Sequence, residues 1–172
     1  VFHHPVDAFV ATFIGVPSMN LFHGRLEAGE SGPALRIGDD RIDLGRSQWS
    51  DLDVEKERDV VVGVRPRSFR FDAGGIIADV ERVETMADRR IVTATLLARP
   101  VTNSGDGVVL GVGRSTVTVD ADPTDDVGRA RWQASRLAVD TDDIHLFDHP
   151  TGRSLAPPVE PGNDGQTTRA AT

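Results

Sequence analysis

The histidines and the paired aspartates are the residues of this sequence that could most readily do chemistry. The five histidines show no H-E-x-x-H spacing for a metal site, and they are His3, His4, His23, His145 and His149. Adjacent aspartates occur at 125–126 and 142–143, but neighbouring side chains on an extended chain point to opposite faces, which does not suit acid–base catalysis. No G-x-S-x-G nucleophile elbow is present. We therefore predict no catalytic residue and no metal site in this chain.

Phosphate binding of the ATPase kind requires a loop of the form G-x-x-x-x-G-K-[ST], whose lysine reaches the terminal phosphates. The single lysine of the sequence, Lys56, is followed by Glu57, so no such loop can be drawn. Residues 111–116, Gly-Val-Gly-Arg-Ser-Thr, are rich in glycine but lead into another strand pattern. We interpret this segment as a turn, with a phosphate loop as the weaker alternative, and we expect no cofactor in the chain itself.

The composition is that of a folded protein without a membrane span. Hydrophobic residues make up 38% and charged residues 27% of the chain, and the longest apolar run, at residues 60–64, is far shorter than the roughly 20 residues of a membrane helix. The absence of cysteine fits a reducing compartment such as the cytoplasm. A net charge of −8 with few aromatic residues disfavours a nucleic-acid partner, and Trp49 and Trp132 are interpreted as partly buried or interface residues.

The first 20 residues carry the only strong helical pattern. Their apolar side chains recur at i, i+3, i+4, i+7 and i+8, namely Val6, Phe9, Val10, Phe13 and Ile14. Pro5 suits a first helical turn, and Gly15 with Pro17 would end the helix. We predict an amphipathic linker helix within residues 1–20.

After residue 20 the hydrophobic period changes to about two. The predicted strands cover residues 21–26, 34–37, 41–44, 60–65, 76–83, 91–97, 108–110, 115–119, 135–139 and 144–147. Gly38-Asp39-Asp40 is predicted to form a hairpin turn. We therefore predict a mainly β fold, an antiparallel barrel of short strands over residues 21–155, with two sub-barrels divided near Asp59 as the alternative arrangement. Residues 98–107 and 120–131 are predicted as exposed loops, and the Pro/Gly-rich residues 156–172 as a disordered tail.

Four segments, in this order, resemble the region that follows the ATPase domain in the ATP-binding subunits of maltose, multiple-sugar and glycerol-phosphate ABC importers. Residues 5–20 are similar to the family pattern P-x-x-x-F-V-A-x-F-I-G-x-P-x-M-N, and residues 63–66 (Gly-Val-Arg-Pro) to its G-I-R-P-E. Residues 80–87 are similar to V-E-x-L-G, and residues 145–155 to H-L-F-D-x-x-T-G-x-x-L. Arg67 stands where the family usually has glutamate, and Ala87 where it usually has glycine.

This resemblance implies an OB-like regulatory β domain, often called a TOBE domain, which supports dimerisation and has no catalytic role of its own. The implied partners are the protein's own ATPase domain, a second copy of the subunit, two permease subunits and a cytosolic regulator. ATP and Mg²⁺ would bind in the ATPase domain, which we expect to precede this chain in a longer protein. The implied location is the cytoplasmic face of the cell membrane.

The residues predicted to contact a partner are Arg65, Arg67, Phe9, Phe13 and Trp132. One alternative is a sensor of small ligands, in which Ser104-Gly105 and residues 114–116 would bind an oxyanion or a sugar. A second alternative is a barrel that binds single-stranded nucleic acid.

Overall fold

A computed structural model describes residues 7–8, 16–45, 49, 52, 57–104, 107–125 and 134–155. Within these ranges the chain is almost entirely β structure, and its strands are β1 (Asn20–Ala28), β2 (Pro33–Ile37), β3 (Asp40–Asp43), β4 (Arg58–Val64), β5 (Phe69–Thr85), β6 (Arg90–Leu96), β7 (Val101–Ser104), β8 (Gly107–Leu110), β9 (Ser115–Ala121), β10 (Ala134–Val139) and β11 (Ile144–Asp148). Short 3-10 turns at Pro66–Ser68 and Thr141–Asp143 precede β5 and β11.

The first sheet is antiparallel and has the strand order β11-β4-β1-β2-β3. β4 lies between β11 and β1, and its residues from Val60 to Val64 are all buried. A strand covered on both faces needs a continuous apolar run rather than an alternating one, which explains the unbroken Val-Val-Val-Gly-Val segment. The predicted hairpin at Gly38-Asp39-Asp40 is confirmed, because it joins β2 to β3 with Ile37 paired to Asp40.

The second sheet is also antiparallel and has the order β10-β5-β6-β9. β6 alternates as its sequence predicts, with Val92, Ala94 and Leu96 buried. The long strand β5 contains Gly75 at a φ of 102°, where a Cβ atom would lie 2.4 Å from the carbonyl oxygen of Leu137 in β10. Glycine therefore allows β10 to approach β5 at a point where their pairing shifts register.

The main hydrophobic core draws on both sheets. Its largest buried side chains include Trp49, Phe22, Leu26, Leu35, Ile37, Leu44, Ile76, Leu96, Leu137, Ile144 and Leu146. Hydrogen bonds also join the two sheets: Asn20 of β1 bonds to Thr118 of β9, and Asp40 of β3 accepts a 2.7 Å hydrogen bond from the backbone N–H of Ile77. The two sheets consequently form the two sides of a shared core.

The prediction of an exposed loop at residues 98–107 was wrong. Residues 101–104 form β7, which pairs with β8 as a hairpin. This hairpin lies against the outer face of the first sheet, where Val108 packs in a second apolar cluster with Val61 and Phe147. The strand was missed because only four residues precede the turn signals Gly105-Asp106-Gly107, too few to display a period of two.

The mainly β, antiparallel character predicted from the sequence is confirmed, and every predicted strand overlaps an observed one. The predicted linker helix falls mostly on residues outside the described ranges and is not confirmed. Within residues 1–15 the structure describes Asp7, which forms an isolated bridge with Arg153, and Ala8, whose N–H donates to the carbonyl of Gly152 over 2.8 Å. The predicted tail also lies outside the described residues. The domain boundaries stay predictions, although Asp59 itself lies inside β4, paired with Arg25.

Candidate functional site at the Arg65–Arg67 corner

A sharp corner connects the first sheet to the second. β4 ends at Val64, Arg65 is extended with φ −70° and ψ 146°, and the 3-10 turn that begins at Pro66 leads into β5. Proline suits the start of such a turn because its φ is already fixed and its missing N–H is not needed there. Pro66 is buried, whereas the side chain of Arg67 is 72% exposed. The corner therefore presents Arg67 on the surface, next to a buried proline whose φ is fixed.

Asp120, near the end of β9, is the carboxylate that organises this corner. Its side chain is only 4% exposed, and its Oδ2 accepts a 2.8 Å hydrogen bond from Nε of Arg67. Nη1 of Arg89, just before β6, lies 3.5 Å from the same oxygen. Nη2 of Arg89 also lies 2.9 Å from Oδ2 of Asp88. A carboxylate this far from water requires such cationic partners, so Asp120 holds two arginines beside each other.

Two grooves meet at these residues. The first has a volume of about 360 Å³ and is lined by Val16, Pro17, Arg65, Pro66, Arg67, Arg89 and Asp120. The second has a volume of about 410 Å³ and is lined by Arg67, Phe69, Arg70, Asp88, Arg89, Asp120, Ala121, Asp122 and Asp125. The first groove therefore holds three arginines and one aspartate, whereas aspartates outnumber arginines in the second.

Local hydrogen bonds favour the ionised form of two acidic side chains of the second groove, Asp88 and Asp122. Arg89 donates to Asp88 and, together with its positive charge, lowers the pKa of that carboxyl below its ordinary value. Thr124 lowers the pKa of Asp122 in the same direction, because its hydroxyl and its backbone N–H both donate to Oδ1 of Asp122. The rim of the second groove thus stays negative at neutral pH, beside the positive first groove.

The structure brings together Arg65 and Arg67, two of the residues predicted to contact a partner, on the wall of one groove. Phe9, Phe13 and Trp132 lie outside the described residues. Sequence reasoning missed Arg89 and Asp120, which complete the same wall. The sequence offered one indication of Asp120: it is a carboxylate within a segment whose other residues alternate between apolar and polar, as in a strand.

The residues proposed for an oxyanion site at 114–116 are used differently in the fold. Ser115 is buried, and its Oγ has no hydrogen-bond partner among the described residues. Arg114 forms an ion pair with Asp79 of β5. The side chain of Ser104 lies outside the described set. Residues 111–114 connect β8 to β9, which agrees with their interpretation as a turn.

Residues 15–69 match the protein family described as the MalK OB fold domain. Over these residues the chain is similar to an OB-fold domain, and the antiparallel pairing of β1, β2, β3 and β4 agrees with that similarity.

Among curated proteins the chain is similar to sn-glycerol-3-phosphate import ATP-binding protein UgpC 1 of Rhizobium johnstonii, with 31% identity over 92% of this chain and 38% of the relative. It is also similar to UgpC of Jannaschia sp., with 30% identity over 90% of this chain and 37% of the relative. A third relative, UgpC of Bordetella pertussis, is 37% identical over 54% of this chain and 24% of its own length. The chain thus spans less than two fifths of these relatives. The resemblance to a sugar-type ABC-importer ATP-binding subunit that the sequence predicted is confirmed.

In the portion of the chain that the structure describes, none of the helical segments has the length and apolarity needed to cross a lipid bilayer. The same portion contains no cluster of three or more His, Asp or Glu side chains arranged to hold a metal ion.

Proposed function

We propose that this chain is a regulatory and dimer-supporting domain of the ATP-binding subunit of a sugar-type ABC importer, and that it has no catalytic role of its own. The observation that carries the proposal is the similarity to an import ATP-binding protein over 92% of the chain. The β fold supports it, because the two sheets offer exposed surface to partners, and the sequence contains no G-x-x-x-x-G-K-[ST] loop for nucleotide phosphates. The role is part of ATP-driven uptake of a solute, for which sn-glycerol-3-phosphate is the first candidate.

In this proposal the ATPase domain of the longer protein binds ATP and Mg²⁺, and two copies of the subunit act together on permease subunits at the inner face of the membrane. The present domain contacts its own ATPase domain, the second copy and a cytosolic regulator. A regulator changes transport only if it binds two states of the transporter with different affinity. The Arg65–Arg67 corner is the surface we propose for such a contact.

Light scattering of the purified chain across a concentration series tests the dimer-supporting role. The matched control is the same chain with residues 5–15 deleted, since an apolar segment separated from its neighbour can itself associate. We expect a dimer that persists after the deletion. A monomer at all concentrations in both proteins would contradict this role, and a dimer lost on deletion would assign the association to residues 5–15.

A further inference from the structure

We propose that the first groove, lined by Arg65, Arg67 and Arg89 and called here the arginine groove, binds a phosphate group, supplied as inorganic phosphate or as a small phosphate monoester. This site is separate from residues 104–105 and 114–116, where the sequence suggested an oxyanion. The proposal concerns binding by this chain alone, so it stands or falls independently of the regulatory role.

The first argument is the set of hydrogen-bond donors that the fold leaves available. Arg67 donates to Asp120 through Nε, and its Nη1 and Nη2 atoms make no hydrogen bond to any residue that the structure describes. These two atoms form the planar fork that suits two oxygens of a phosphate. With 72% of its side chain exposed, Arg67 presents that fork to the solvent side of the groove.

The second argument is that the arginines are positioned before any ligand arrives. Oδ2 of the nearly buried Asp120 lies 2.8 Å from Nε of Arg67 and 3.5 Å from Nη1 of Arg89. Asp88 holds the other end of the Arg89 guanidinium over 2.9 Å. A cation already restrained by carboxylates loses less conformational entropy on binding an anion than a free side chain does. Asp120 therefore acts as a positioning residue for the groove.

The third argument is the match of charge and shape. Arg65, Arg67 and Arg89 carry three positive charges, whereas Asp120 and the Asp88 carboxylate paired with Arg89 carry two negative ones, so the groove keeps a net positive charge that attracts a phosphate. Val16 and Pro17 line the same groove and offer apolar contact to the carbon atoms of an ester. A volume of about 360 Å³ accommodates a small phosphate monoester.

The neighbouring groove limits the size of the anion. Asp88, Asp122 and Asp125 line it, and the whole chain carries a net charge of −8. An extended polyanion, such as a nucleic acid or an acidic peptide, would run from the arginine groove into these carboxylates and be repelled. A small phosphate ligand confined to the arginine groove avoids this repulsion.

Isothermal titration calorimetry and ³¹P NMR on the 172-residue chain test the proposal. Inorganic phosphate and n-propyl phosphate are each titrated at constant ionic strength set with NaCl, because screening by salt would otherwise mimic competition. We expect saturable binding of both. Equal affinities would identify inorganic phosphate as sufficient, whereas tighter binding of the ester would show that Val16 and Pro17 contribute.

Arg67→Gln should weaken binding about tenfold or more, since a charge-assisted hydrogen bond is lost. The matched control is Arg82→Gln on β5, because Arg82 is 71% exposed and pairs with Glu84 outside the groove. Arg65→Gln serves as a second groove variant, and circular dichroism checks that each protein is folded. Absence of phosphate binding by the unaltered chain, or equal weakening by Arg67→Gln and Arg82→Gln, would overturn the proposal.

Discussion

Asn20 joins the two large sheets through a pair of hydrogen bonds to a residue 98 positions away. Its Nδ2 donates to the carbonyl oxygen of Thr118 over 2.8 Å, and its Oδ1 accepts from the N–H of Thr118 over 2.7 Å. Nδ2 also lies 3.2 Å from the carbonyl oxygen of Val64. The amide thereby imitates a backbone group and extends strand pairing across the gap between β1 and β9. A single side chain thus satisfies backbone groups of two strands.

Replacing Asn20 with alanine should lower the free energy of unfolding by about 1–3 kcal/mol, because partly buried backbone groups of Thr118 would lose their hydrogen-bond partners. Urea unfolding followed by circular dichroism measures this loss. Thr118→Ala is the control, since it keeps the backbone groups that bond to Asn20, and it should cost clearly less. Equal losses in the two variants would show that the side-chain amide is not what joins the sheets.

At the residue level, the sequence pointed to only two of the four charged residues that form the candidate site. Arg65 and Arg67 are separated by one proline in a segment similar to a family motif, so the sequence pointed to them directly. Arg89 and Asp120 are 22 and 53 residues further along than Arg67, as their numbers show, and their approach depends on how β6 and β9 pair. No local pattern predicts which arginine a given aspartate will meet.

At the level of elements, the β7–β8 hairpin explains why the first sheet is apolar on both faces. One face of β4 contributes Val60, Val62 and Val64 to the main core. The other face contributes Val61, which packs with Val108 of β8 and with Phe147 of β11. Without the hairpin this outer face would be exposed to water, at a cost of about 25 cal/mol for each Å² of apolar surface.

Substitutions at two adjacent residues of β8 test this covering role. Val108→Asp should lower the free energy of unfolding by about 3–5 kcal/mol, because it places an unpaired carboxylate in an apolar cluster. Val109→Asp should change it little, since Val109 is 55% exposed on the opposite face of the strand. Denaturant unfolding of both variants provides the measurement. Similar small effects would mean that the β7–β8 hairpin does not cover the outer face of the first sheet.

At the scale of the whole molecule, strands from both sides of residue 59 share one hydrophobic cluster. Phe22 and Leu35 come from the first sheet, and Val92 and Leu137 from the second. Side chains packed into a common core lose their contacts together, so neither sheet would keep its buried surface if the other unfolded.

We therefore predict that the chain unfolds in a single cooperative transition. In a Trp132→Phe background, fluorescence of the buried Trp49 reports on the core, and far-UV circular dichroism reports on the strands of both sheets. The two signals should give the same midpoint and the same slope in urea. Two separated transitions would support independent sub-barrels divided near Asp59.

The sequence alone determined the elements that depend on local pattern. Alternation placed the strands, glycine and aspartate placed the turn between β2 and β3, and a short motif pointed to Arg65 and Arg67. These features follow from side chains within a few residues of each other, where periodicity and backbone preference act.

Only the tertiary structure decided which distant residues meet. It placed Asp120 between Arg67 and Arg89, joined Asn20 to Thr118, and laid the β7–β8 hairpin against the outer face of β4. Such contacts depend on strand order and on the packing of one sheet against another, which local propensity does not encode. The physical reason is that burial and charge pairing act through space, so their partners are selected by the fold rather than by distance along the chain.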